Sequence, residues 1–118
     1  MIIRTGVDLV DLNRFYSVLQ LCPRIGDFVK SDLEKQMDLS PLQIAENFCA
    51  KEALYKALQN IPFAFREVCL TENVFGAPVF VFLSSKLRGL SISSISLSIS
   101  HDKSSLISIV TLIIPHTF

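Results

Sequence analysis

The chain has 118 residues, with 11 basic and 11 acidic side chains that cancel to a formal net charge of +0. At one domain per roughly 100–200 residues this is a single compact unit over residues 1–118, and about two-thirds of the unfolded surface is buried on folding. A balanced charge and a pI near 6.7 lack the basic excess on which nucleic-acid backbone binding draws.

Residues 2–10 read as a strand, with Ile3, Val7 and Leu9 on one face and Arg4, Gly6 and Asp8 on the other. Asp11 is placed to cap a helix in which Leu12, Phe15 and Leu19 recur at helical spacing, with Arg14 in its first turn and Pro23 just past its end. The charged stretch 24–39 predicts one or two short amphipathic helices around Phe28, Leu33 and Met37. Ser40-Pro41-Leu42-Gln43 joins a capping Ser, a Pro at the first helical position and a Gln three residues after the cap. The helix that follows should run to Leu58. It is apolar over most of its circumference, except for a narrow sector holding Ala45, Cys49, Glu52 and Lys56.

After Pro62 the pattern changes to period two. Residues 68–73 and 79–83 flank the turn Gly76-Ala77-Pro78 and predict a hairpin. Residues 94–100 alternate Ile95, Leu97 and Ile99 with serines, and residues 106–114 form a nearly continuous β-branched run, as expected of a central strand covered on both faces. His101-Asp102 falls in the turn between them. The order predicts an α+β domain: a long buried helix packed on an antiparallel sheet.

A mean hydropathy of +0.47 is high for so small a domain and points to apolar surface covered by a partner subunit, hence a homo-oligomer. The longest segments free of charge, 89–101 and 104–118, are too short to span a bilayer. The first residues lack an apolar signal-peptide region, so a cytoplasmic protein is expected. Cys22, Cys49 and Cys69 are odd in number and widely spaced, which reads as reduced thiols rather than a metal or redox motif.

Two readings of the polar residues compete. Glu52 and Lys56 stand four apart and could form only a helix ion pair, within a non-catalytic oligomeric binding domain. Alternatively Asp8, which has a Gly two residues earlier on its own face, and Glu52 converge on a hard divalent ion such as magnesium. That ion takes carboxylate oxygens and completes its shell with water and substrate phosphate. Lys56 would then face phosphate oxygens, and His101 could add a hydrogen bond. A metal-dependent hydrolase of small phosphates fits the same residues.

Gly6-Val7-Asp8-Leu9-Val10 with Arg14, Phe48-Cys49-Ala50-Lys51-Glu52-Ala53 with Lys56-Ala57-Leu58, Gly76-Ala77-Pro78, and Leu97-Ser98-Ile99-Ser100-His101 together resemble the ordered signature blocks of the bacterial holo-acyl-carrier-protein synthases. The resemblance implies a 4′-phosphopantetheinyl transferase-like fold. It implies magnesium-dependent transfer of 4′-phosphopantetheine from coenzyme A to a Ser of apo acyl carrier protein, in support of fatty acid biosynthesis, and a homotrimer with active sites between subunits. By position it assigns Asp8 and Glu52 to the metal, with catalytic roles for both and for Lys56. It sets Phe48, Lys51, Lys56 and His101 around coenzyme A and Arg14 on the carrier-docking helix. Arg24 and Lys30 are expected to extend that basic surface. Two departures stand out: Asn47 where the family usually has Arg, and Gln59-Asn60-Ile61-Pro62 where it usually has a Gly-Thr-Gly-like turn. They remove a cationic fork and freely approaching backbone amides, both suited to phosphate contact.

Overall fold

The computed structural model describes residues 1–118. Strand β1 (Ile2–Asp11) leads directly into helix α1 (Leu12–Leu21), where Asp11 caps the helix by accepting the Arg14 backbone N–H at 3.0 Å. Two short helices follow, α2 (Arg24–Val29) and α3 (Asp32–Lys35), and then the long helix α4 (Pro41–Leu58). α4 starts with the expected capping box: Gln43 N–H donates to the Ser40 hydroxyl, and Ser40 N–H donates back to the Gln43 side chain. A single 3-10 turn (Phe65–Glu67) introduces the hairpin of β2 (Val68–Glu72) and β3 (Pro78–Phe82). Helix α5 (Ser85–Arg88) and the antiparallel pair β4 (Ser94–His101) and β5 (Ser105–Ile114) complete the chain.

The fold is α+β, as expected, but the sheet is divided. β1, β5 and β4 form a three-stranded antiparallel sheet with β5 in the middle, while β2 and β3 pair only with each other. Asn73 closes that hairpin by accepting the backbone N–H groups of Phe75 and Ala77, and Gly76 supplies the positive φ of 80° that the turn requires. α4 lies across the three-stranded sheet. Ala53, Leu54, Ala57 and Leu58 bury themselves against Val110, Leu112 and Ile114, with Leu87 and Val68 closing the far side. A fully buried Leu contributes on the order of 1.5–3 kcal/mol, so this helix–sheet contact is the main apolar stabilisation.

Three details depart from expectation. The face of β1 that α4 covers is the one with Gly6, Asp8 and Val10, whereas the more apolar face with Ile3, Val7 and Leu9 is open. β5 is central but covered on one face only: Leu106, Val110, Leu112 and Ile114 are buried, while Ile107 and Ile109 join the open side. A β-branched run marks a central strand without saying whether its own chain supplies both covers. In α2 and α3 the anchors are Val29, Ser31 and Glu34, and Phe28, Leu33 and Met37 face outward, because the polar Glu34 finds a buried cation. No helix is long and apolar enough to cross a membrane.

Candidate functional site

β1 and α4 approach so closely at Gly6 that a Cβ there would overlap the Ala53 carbonyl oxygen and stand 2.6 Å from the Ala57 nitrogen. Only glycine permits this seating. Its consequence is local and chemical: Asp8, two residues on along the same face, is brought against the Glu52–Lys56 turn of α4. Lys56 Nζ donates to Asp8 Oδ1 at 3.0 Å and to the Val7 carbonyl at 3.0 Å. Lys56 is therefore held across to the strand and forms no ion pair with Glu52. The simple helix pair on which the non-catalytic reading stood is absent.

Glu52 is left facing a second carboxylate. Burial pushes its carboxyl above the usual carboxylate range, the Asp8 charge pushes it further, and Lys56 partly offsets both. Beneath the acids, Cys49 Sγ donates to the Asp8 carbonyl at 3.4 Å, and burial raises the thiol to about 11, so it remains a protonated donor. Ser108, paired with Asp8 across the strands, has a buried hydroxyl without a protein partner. Two oxygen-rich acids, half-relieved of each other's charge by one lysine, are a donor set that suits a hard divalent cation. No third His, Cys, Asp or Glu joins them, so an ion held here would complete its shell with water and phosphate.

The other expected site residues lie elsewhere. Lys51 is wholly enclosed on the opposite flank of α4, donating to Glu34 Oε1 at 2.7 Å and to the Val29 carbonyl at 2.8 Å. The expectation that it contacts coenzyme A meets a side chain wholly buried within one chain, where burial draws its pKa down and Glu34 holds it up. Phe48 wedges between Phe15 and Phe65, with ring centroids 5.6 and 6.0 Å away, and joins α1 to the 3-10 turn. His101 is exposed at the end of β4, the edge strand opposite β1, where it faces Glu46. One chain therefore does not bring His101 to Asp8. Arg14 is exposed on α1. Asn47 is buried beside Glu46 and Glu72 in a groove of about 370 Å³; its amide donates to the Gln43 carbonyl, and its own oxygen has no partner. That groove offers no cation from its own lining.

The sequence reading missed an apolar cleft of about 250 Å³ opening beside Glu52 and walled by Phe28, Tyr55, Phe63 and Phe65. Tyr55, three residues after Glu52, was the available signal. Phe28 comes from the short helix α2, and Phe63 and Phe65 come from the segment after α4, which has no periodicity to read.

A three-stranded antiparallel sheet crossed by one long helix, with Asp8, Glu52 and Lys56 where helix and edge strand meet, is an arrangement with counterparts of known structure. The fold matches the holo-acyl-carrier-protein synthase of Plasmodium yoelii with a TM-score of 0.83, over 98% of each chain at 20% identity. It matches that of Helicobacter pylori, solved in complex with coenzyme A, with a TM-score of 0.78 at 27% identity, over 92% of this chain and 99% of the other. In sequence, the holo-acyl-carrier-protein synthase of Beutenbergia cavernae is 36% identical over 107 residues, covering 86% of this chain and 90% of that protein. That of Caldicellulosiruptor bescii is 34% identical over 116 residues, covering 88% and 92%. No protein-family model matches the chain. The chain belongs to the holo-acyl-carrier-protein synthase family.

Proposed function

We propose that this protein transfers the 4′-phosphopantetheine group of coenzyme A to a serine of apo acyl carrier protein, releasing adenosine 3′,5′-bisphosphate, in support of fatty acid biosynthesis. The observation that carries the reading is the convergence of Asp8, Glu52 and Lys56 at the Gly6 contact. Asp8 and Glu52 would hold a magnesium ion, which when bound supplies charge neutralisation on the diphosphate under attack. Glu52 accepts the proton of the carrier serine as its oxygen bonds to the β-phosphorus and the bridging oxygen leaves with the nucleotide. Lys56 has three N–H groups, two of them engaged by Asp8 and Val7, so one is free for a phosphate oxygen.

Residues 1–118 act as one domain. Arg14, with Arg24 and Lys30, presents basic charge for an acidic carrier. The open apolar sheet face and the position of His101 on the far edge strand support a homotrimer in which one copy's His101 and phosphate-facing surface meet the next copy's acids. Three free thiols suit a cytoplasmic location.

The test is the mass of an apo carrier incubated with the protein, coenzyme A and magnesium. A gain equal to phosphopantetheine is expected, and an unchanged mass would refute the reading. Glu52→Gln should keep its circular dichroism and slow the transfer by on the order of 10²–10⁴; normal transfer by that variant would remove Glu52 from the mechanism.

A further inference from the structure

Only two buried polar side-chain atoms lack a hydrogen-bond partner, Asn47 Oδ1 and Ser108 Oγ. Asn47 borders an open groove that water can enter, whereas Ser108 is wholly enclosed. The covered face of β5 runs Leu106, Ser108, Val110, Leu112 and Ile114, so one hydroxyl interrupts an apolar row beneath α4. An unpaired buried hydroxyl costs stability, and Ala or Val would fill the place without that cost. Ser108 stands directly opposite Asp8 of β1. Cross-strand partners of this kind share one face of the sheet, with Cβ atoms about 4.5–5.5 Å apart. The hydroxyl is therefore at the base of the Asp8–Glu52–Lys56 group.

Asp8 is already held from two sides. Lys56 Nζ donates to its Oδ1 at 3.0 Å, and Cys49 Sγ donates to its main-chain carbonyl at 3.4 Å. No protein donor reaches Oδ2. Cys49 also lies against Ser108, but a thiol sulfur is a weak acceptor and leaves the hydroxyl proton without a good partner. Carboxylates that ligate a metal ion are themselves hydrogen-bonded, which fixes their direction. The Asp8 side chain is only 13% exposed, so water has little room to supply that bond, and Ser108 is the group in place to do so. We propose that Ser108 is a positioning residue for Asp8: its hydroxyl donates to the carboxylate when that group turns to share a divalent cation with Glu52. With the carboxylate drawn to Lys56 the hydroxyl has no acceptor; with the carboxylate turned to an ion it gains one. This rests on the reading of Asp8 and Glu52 as cation ligands and deepens it.

The consequence is a split that packing alone would not give. Ser108→Ala removes an unpaired group from the folded chain, so in chelator it should melt at or above the wild-type temperature. Its affinity for manganese, read from the paramagnetic resonance signal of the free ion in a titration without coenzyme A, should fall by about tenfold, the scale of a lost outer-shell bond. The rise in melting temperature on adding magnesium should shrink to match. In transfer assays the magnesium concentration for half-maximal rate should rise by about the same factor, with KM for coenzyme A as in wild type. Asp8→Asn is titrated alongside and should lose the manganese site. If Ser108→Ala binds manganese as tightly as wild type while Asp8→Asn does not, the Ser108 assignment is overturned and the cation pair stands. Manganese binding untouched by Asp8→Asn would overturn both. Weaker binding together with a lower melting temperature in chelator would mark a general loosening of the sheet, and would also overturn the positioning role.

Discussion

Lys51 and Glu34 illustrate how one residue's role depends on a partner far along the chain. Sequence places Lys51 beside Glu52 in a charged motif, and a charged helix residue ordinarily reads as solvent- or ligand-facing. In the fold, the Glu34 carboxylate accepts the Ser31 N–H and hydroxyl, Lys51 Nζ and the Leu70 N–H, so the pair ties α3, α4 and β2 together. Removing one member of such a buried pair leaves the other charge uncompensated. Lys51→Met should therefore cost about 3–5 kcal/mol of stability, read from urea unfolding, with KM for coenzyme A unchanged in the folded fraction. A stable variant with a raised KM would instead return Lys51 to the ligand set.

At the scale of elements, α4 was legible almost residue by residue, because capping and apolar periodicity are local properties. The end of the helix was not. Gln59 adopts a φ of 59°, in the left-handed region where glycine is favoured, and it does so where the family-like turn would have placed one. The Asp8–Glu52 meeting was legible only in part. Gly6 signalled a close approach, but whether to backbone or to ligand was open until α4 was seen seated on it. The registration of α4 on β1 is thus the feature that builds the site. Gly6→Ala should force the helix off the strand, at about 1–3 kcal/mol for overpacking. It should also reduce transfer far more than that loss of stability accounts for, since Asp8 and Glu52 separate. Thermal melting and transfer rate measured together check this: parallel, modest losses would show that the acids do not depend on the contact.

For the whole molecule, the sequence's high hydropathy has a definite address. Ile3, Val7, Leu9, Ile107 and Ile109 line the uncovered face of the three-stranded sheet, opposite α4. Strand alternation showed two faces on β1 but could not say which one its own helix would cover. The close helix contact at Gly6 decides it, leaving the larger side chains outward. Such a contiguous apolar face marks an interaction surface, and a second copy of the same sheet is its natural cover. His101 and Asp8 occupy opposite edge strands, and in the proposed trimer they would meet between copies. Leu9 is 68% exposed in one chain, so Leu9→Lys leaves the monomer's own core intact while placing a charge in the proposed contact. Light scattering should then report a shift from trimer to single chains, with the circular dichroism spectrum retained and transfer lost because His101 no longer reaches a neighbour's acids. A variant that is monomeric and fully active would show that one chain holds a complete site, and a variant that remains trimeric would place the subunit contact on another surface.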